Sequence, residues 1–163
     1  MILRAEQPGD AGAIGALITA AFATAALADG TEAAIMARLR DSGDLLLSLV
    51  AQEAGVLLGH VAASPVTIGG AEGWACIAPV SVAPAAQRQG VGTALMRAAL
   101  AELQAQGAGG VIVLGDPGYY GRFGLKADPC RHVPDVPGEF LLSLSFGTAP
   151  EGVVSFHPAF GPA

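Results

Sequence analysis

Apolar residues recur along this chain in three spacings, and each predicts a different element. Between Asp10 and Asp29 the large apolar side chains fall at Ile14, Leu17, Ile18 and Phe22. A spacing of i, i+3, i+4, i+8 is one stripe of an amphipathic helix packed on a core. Residues 2–6 read as a short strand before it, and Pro8-Gly9-Asp10 opens the helix with Asp10 as its N-cap. Gly30 interrupts the pattern, and Thr31 stands where it can cap a second helix carrying Ile35, Met36 and Leu39 on one face. Ser42-Gly43-Asp44 ends that helix. Three β-rich apolar runs follow, at 45–52, 55–68 and 74–82, separated by Glu53-Ala54-Gly55 and Gly69–Gly73. Runs of that kind between glycine turns predict an antiparallel meander.

The strongest helical signal spans Gln89 to Gln106, where Val91, Leu95, Ala99 and Leu103 repeat every four residues before Gly107. Val111–Leu114 is a short strand after it. Strand–helix–strand in that order predicts a crossover whose two strands are parallel neighbours. Asp116-Pro117 opens a short helix that stops at Gly124. The remainder is Pro-rich from 129 to 137, with strand-like runs at 140–146 and 153–156. The expected architecture is one α/β (α+β) domain over residues 1–163, a mixed central sheet with helices on both faces. The apolar end from Val153 to Phe160 offers a sheet edge for a homodimer.

Composition narrows the function. The chain of 163 residues is 52% hydrophobic and only 13% charged, which excludes disorder. Its 8 basic and 14 acidic residues leave a net charge of −6. Such a surface repels phosphate backbones and anionic membranes, so neither nucleic acid nor membrane is an expected partner. Two cysteines, Cys76 and Cys130, make neither a disulfide framework nor a zinc cluster and read as small buried hydrophobes. No metal is expected, since His132 and His157 stand without partners at ligand spacing. Arg4, Glu6 and Asp10 interrupt any leader-like apolar run, and the uncharged stretch after Asp10 is too rich in Ala, Gly and Thr for a membrane span. A cytoplasmic location is expected.

The chemistry concentrates in Val80-Ser81-Val82-Ala83-Pro84-Ala85-Ala86-Gln87-Arg88-Gln89-Gly90-Val91-Gly92-Thr93. Gly90 and Gly92 sit at the first turn of the long helix, where backbone N–H groups lack intrahelical partners and the helix dipole adds positive potential. That is an anion site suited to a phosphate or pyrophosphate, with Arg88 adding a charge. A P-loop needs a lysine that is absent here, and the dinucleotide fingerprint needs a small residue where Leu95 stands.

Gln87-x-x-Gly90-x-Gly92 after a Val-x-Val-x-Pro strand resembles the acyl-CoA pyrophosphate loop of the GNAT superfamily of N-acetyltransferases. Tyr120-Gly-Arg-Phe-Gly124-Leu125 resembles that family's conserved tyrosine ahead of a Gly-Phe pair, at the correct separation. The segment Leu-Gly-Asp-Pro-x-Tyr-Tyr-x-Arg-Phe-Gly is similar to that of a bacterial subgroup of predicted acetyltransferases. The resemblance covers residues 1 to about 128 and implies a GNAT-like fold. It implies acetyl-CoA as co-substrate, with no metal, and an amine of a small molecule or peptide as acceptor. Val80, Ser81 and Val82 then hold the pantetheine arm through their backbones, and the N–H groups of Arg88, Gln89, Gly90, Val91, Gly92 and Thr93 hold the pyrophosphate. An N–H near Val80 stabilises the oxyanion, and Tyr120 protonates the thiolate.

Departures from the family pattern bear on the details. The asparagine that often follows the second parallel strand is missing, and Leu125 replaces an aromatic. A proline within a strand marks a bulge or an edge, so Pro79 either starts the splay of the parallel strands or is a simple edge residue. The general base is open among His60, Ser64, Glu72, Cys76 and a water relay. Tyr119 reads as a packing or pocket residue and Arg122 as a solvated charge. Residues 22–31 and 129–138 are the expected pocket walls. Two other readings stand beside the enzyme: a silent acyl-CoA-binding module acting as sensor or subunit, and a structural domain whose Gly-x-Gly is only a turn.

Overall fold

The computed structural model describes residues 1–23 and 30–161. The helices are α1 (Ala11–Phe22), α2 (Glu32–Ser42), α3 (Val91–Ala105) and the single turn α4 (Pro117–Tyr120). The strands are β1 (Ile2–Ala5), β2 (Leu47–Glu53), β3 (Val56–Ile68), β4 (Ala71–Val82), β5 (Gly110–Leu114), β6 (Lys126–Ala127), β7 (Arg131–His132), β8 (Leu141–Ser145) and β9 (Gly152–Ser155). They run β1-β2-β3-β4-β5-β8-β6 across the sheet, with β9 beside the end of β3 and β7 beside β9.

Alternation along the strands gives each face its own helices. Ala51, Val61, Ala63, Ala75 and Ile77 point to one side, where α3 lays Val91, Leu95, Ala99 and Leu103 over them. Val50 and Ala62 point to the other, under Ile14 and Ile18 of α1 and Met36 of α2. Fully burying side chains of that size contributes roughly 1.5–3 kcal/mol each. The start of α3 closes tightly on β3 at Gly59. A Cβ there would lie 2.8 Å from side-chain atoms of both Val91 and Leu95.

Ion pairs tie β1 into the second face. Arg4 forks onto the Asp10 carboxylate at 2.7 and 3.1 Å, and Arg40 of α2 forks onto Glu6 at 2.8 and 2.9 Å. Asp10 is thereby used differently from the expected helix N-cap. Its carboxylate turns back to Arg4 and accepts the Gln7 N–H, closing a 3-10 turn (Pro8–Asp10) ahead of α1.

The feature that positions the site is where β4 and β5 part. They pair in parallel at Ala75–Val111 and Cys76–Ile112 only, while β5 stays paired with β8 along its whole length. Between Val61–Val80 and Ala63–Ile77 the register with β3 slips, so β4 carries one extra residue at Ala78-Pro79. Pro79, joined to Ala78 by a cis peptide, is therefore at a bulge and not at a plain edge.

Other expectations change. The β3–β4 turn is Gly69-Gly70 alone, and 71–73 already belong to β4. Short strands β6 and β7 lie in what read as irregular chain. β9 is no free dimerisation edge, because it pairs with β3 on one side and β7 on the other. Cys76 is buried as expected, but Cys130 is exposed. Among the described residues no helix is long and apolar enough to cross a membrane, and no three His, Cys, Asp or Glu side chains cluster as a metal site.

Candidate active site

A cavity of about 440 Å³ opens where β4 and β5 separate, lined by Ala21, Phe22, Val80, Ser81, Val82, Gln87, Arg88, Gly90, Gly92, Thr93, Tyr119, Tyr120 and Arg122. Its strand wall is main chain. Ala83 donates to Leu58 O, and antiparallel alternation then makes Ser81–His60 a hydrogen-bonded pair and turns the N–H and C=O of Val80 and Val82 toward the gap. Ser81 is thus the strand residue whose backbone is taken up by β3. The Val82 carbonyl accepts Gln87 Nε2 at 3.2 Å, which leaves Val80 with both main-chain groups directed into the opening.

The loop wall is an N-terminus without side chains. Arg88 (φ 64°) and Gly90 (φ 85°) are left-handed, and they swing the chain into α3. The first ring of the helix closes from Ala94 N–H to Gly90 O, so the amides of Val91, Gly92 and Thr93 have no acceptor within it. Gly90 has open space where a Cβ would stand. At Gly92 a Cβ would be 2.6 Å from the Tyr119 hydroxyl, so glycine there lets the phenol lie against the helix start. Eight of the ten loop and strand residues expected to bind a cofactor line this cavity. Of the other two, Val91 turns its side chain into the core, and Gln89 braces the loop by donating to Ala85 O at 3.2 Å.

Two arginines give the cavity its sign. Arg88 is on the loop, as expected. Arg122 is more than a solvated charge: its guanidinium lies 4.5 Å from the Tyr119 ring centroid and donates to Thr93 Oγ1 at 3.3 Å. Two cations, a helix N-terminus and free amides make a site for a polyanion.

Tyr120 stands at the inner end. Asp116 caps its short helix, accepting the Gly118 N–H at 2.9 Å, and Gly124 (φ 90°) ends the turn that follows. The ring sits edge-on to Tyr119 at 4.9 Å. It fills the space a Cβ of Gly115 would need, with Cε2 only 2.5 Å from that position. Burial, with smaller contributions from Tyr119 and Cys76, pushes the phenol up to about 12. It is therefore protonated throughout the neutral and mildly alkaline range.

A second cavity, of about 260 Å³, adjoins the first and is lined by Phe22, Glu32, Ile35, Ile77, Ala78, Pro79, Val80, Leu114, Tyr120 and Phe160. Phe22, Val80 and Tyr120 belong to both. Phe160 is held there by Arg38 of α2, whose Nε donates to Ala159 O at 3.0 Å, and by a 2.8 Å contact of His157 with Asp44.

None of the candidate bases lines either cavity. His60 is fully buried and lines neither cavity. Ser48 Oγ donates to Glu6 and lies 2.8 Å from His60 Nε2. A single hydroxyl proton serves the carboxylate, so Nε2 carries the ring hydrogen and the unpartnered Nδ1 is a bare lone pair. Burial lowers this histidine to about 4. Ser64 is buried with its hydroxyl unpaired. Glu72 is exposed at the opposite end of β4. Burial raises the Cys76 thiol to about 12, where it is no base.

The expected pocket walls hold in part. Phe22 lines both cavities and residues 24–29 lie outside the described chain. Val133, Pro134 and Asp135 of the Pro-rich segment line a third cavity with β9, which shares Phe160 with the second. Sequence reasoning missed Arg122, Glu32, Gly115 and Phe160 as site residues. Only Gly115, in the Leu-Gly-Asp-Pro run, carried a local signal.

A family model described as Acetyltransferase (GNAT) family matches residues 17–123. The curated Escherichia coli K12 protein named Uncharacterized N-acetyltransferase YhbS is 38% identical over 128 residues, covering 77% of this chain and 74% of that protein. Among solved structures, a GNAT family acetyltransferase from Brucella melitensis in complex with acetyl-CoA aligns with a TM-score of 0.88 and 45% identity, over 98% of this chain and 97% of that one. The YhbS structure from Escherichia coli in complex with CoA aligns with a TM-score of 0.90 and 30% identity, over 99% and 92% of the two chains.

Proposed function

The chain belongs to the acetyltransferase (GNAT) family, and from that premise we propose that it transfers the acetyl group of acetyl-CoA to a primary amine by direct attack. The reading extends to the bacterial subgroup carrying the segment at residues 114–124. The observation that carries it is the junction of the two cavities, where Val80 and Tyr120 face both.

The residues present suit coenzyme A. The amides of 91–93 with Arg88 and Arg122 take the diphosphate, and the Val80 carbonyl and the Val82 N–H, in the β4–β5 gap, pair with the amides of the pantetheine arm. When bound, the thioester supplies an activated acetyl carbon at the junction. The Val80 N–H is then the donor for the carbonyl oxygen as charge develops there. Tyr120 gives its proton to the departing sulfur. Its high setting suits the nucleophile: an amine with a pKa near that of lysine, about 10, becomes neutral as pH rises, and Tyr120 stays protonated through that rise.

The test is release of free CoA from acetyl-CoA with a panel of primary amines, using the native chain and Tyr120→Phe. Amine-dependent release that falls by about a hundredfold in the variant supports the reading. Tight CoA binding with no release for any amine overturns it in favour of a silent acyl-CoA-binding module.

A further inference from the structure

Building on the acetyl-transfer reading, we propose that the acceptor is a small primary amine with an apolar body and a single positive charge, and that Glu32 in the second cavity recruits its ammonium. The walls carry the argument. Phe22, Ile35, Ile77, Leu114 and Phe160 present hydrocarbon, and among the described residues Glu32 is the one charged side chain that lines the space. It is half-buried in the first turn of α2 and makes no ion pair with another described residue. The two arginines near the junction line the other cavity.

Each feature excludes a class of amine. A polyamine would bring further positive charges against walls that, among the described residues, offer no second carboxylate, which is costly. A free amino acid would set its carboxylate in the same small space as Glu32, with no cation among the described lining residues to receive it. At about 260 Å³ the cavity also lies below the roughly 300–1,000 Å³ of sites for drug-sized ligands, so the body is small. An apolar monoamine satisfies all three conditions: its hydrocarbon is buried by the walls, and its charge meets one carboxylate.

The transfer balances with this placement. One proton of the ammonium leaves to water before attack. The nitrogen then bonds to the acetyl carbon as the carbon–sulfur bond breaks and sulfur takes the Tyr120 proton. The second proton lost from nitrogen restores the phenol. Glu32 changes occupancy of the site and takes no part in these bonds.

The experiment uses the full chain with phenethylamine and 3-methylbutylamine, against leucine (the second body with a carboxylate added), ethanolamine and spermidine. Calorimetry on CoA-saturated protein reads binding, and free-CoA release reads turnover. The apolar monoamines are expected to exceed the others at least tenfold in kcat/KM. Glu32→Gln should raise their KM and their Kd about tenfold, as loss of a charge-assisted contact does, with kcat within about twofold. Glu32→Asp, which keeps the charge, should retain most of the affinity. Preference for leucine or spermidine, an unchanged KM in Glu32→Gln, or phenethylamine that neither binds nor reacts each overturns the inference while leaving acetyl transfer to be judged on the other amines. Glu32-dependent binding of phenethylamine with no CoA release from any amine leaves this assignment standing and overturns acetyl transfer.

Discussion

The two cavities that meet at Tyr120 are built from different materials. The larger is made of main chain: the Val80 groups in the strand gap, the free amides at the start of α3, and glycines that keep side chains off them. Arginines supply its charge. The smaller is made of side chains brought together from α1, α2, β4, β5 and the segment at Phe160, and among the described residues one carboxylate supplies its charge. A main-chain site recognises what all its ligands share and tolerates drift in its side chains. A side-chain site is rebuilt by every substitution, and on the proposed reading that is where the choice of acceptor is made. The two cavities carry opposite charge, Glu32 in one and Arg88 and Arg122 in the other, so a polyanion and an ammonium are expected to sort between them.

This contrast can be broken at the boundary first. Tyr120→Phe is expected to lower kcat by about a hundredfold or more while leaving CoA affinity unchanged. Gly115→Ala should act in the same direction, because the added methyl takes the place of the Tyr120 ring edge. The pH profile sharpens the point. An ordinary tyrosine is half ionised near pH 10, whereas one held at about 12 stays protonated, so kcat should show no alkaline decline between pH 7 and 10. A decline centred near 10 would remove burial as the control of this phenol.

Next in size are changes confined to the main-chain cavity. Gly92→Ala pushes the Tyr119 hydroxyl away from the helix start, at a phenol already fixed between Arg122 and Phe123. CoA should bind about tenfold more weakly by calorimetry, within the usual range for losing one or two charge-assisted contacts. The KM for the amine should not move. Arg122→Ala should weaken CoA about threefold at low ionic strength, and the difference should shrink as salt screens an exposed charge.

The smallest expected effect on turnover is at His60, which lies between β2 and β4 yet belongs to neither cavity. His60→Gln should change kcat/KM at neutral pH by less than about twofold, the level expected away from the reacting atoms. Its signature is in stability instead. With a folded-state value near 4 against an ordinary 6.5, neutral His60 contributes stability that is present above pH 6.5 and lost as pH falls toward 4. Chemical denaturation should show that decline in the native chain and not in the variant. Loss of turnover in His60→Gln would place the histidine in the catalytic site after all.

The same contrast explains how much was readable from sequence. The main-chain cavity was legible because its signal is local: Gly90 and Gly92 stand two apart at a helix start, and the strand end Val80–Val82 lies one short loop before them. Tyr120 was legible only through the resemblance of its segment to the GNAT tyrosine, since the Asp-Pro cap and Gly124 predict a short helix and nothing about the phenol. Arg122 escaped because its role depends on stacking against Tyr119 and reaching Thr93 on another element. The smaller cavity escaped almost wholly. Glu32 is one acid among 14, and long-range contacts, the Arg38 bond to Ala159 and the His157–Asp44 contact, bring Phe160 to it. Asp10 shows the limit from the other side, since a local capping pattern was overruled by an arginine on the neighbouring strand.

The central claim is that the first amides of α3 hold the diphosphate of coenzyme A, and amide NMR of the native chain with CoA and with pantetheine tests it directly. The amides of Val91, Gly92 and Thr93 should shift strongly with CoA and stay nearly still with pantetheine, which lacks the diphosphate, while Val80 shifts with both. Equal shifts at those three amides with either ligand, or none with CoA while Val80 responds, would contradict it.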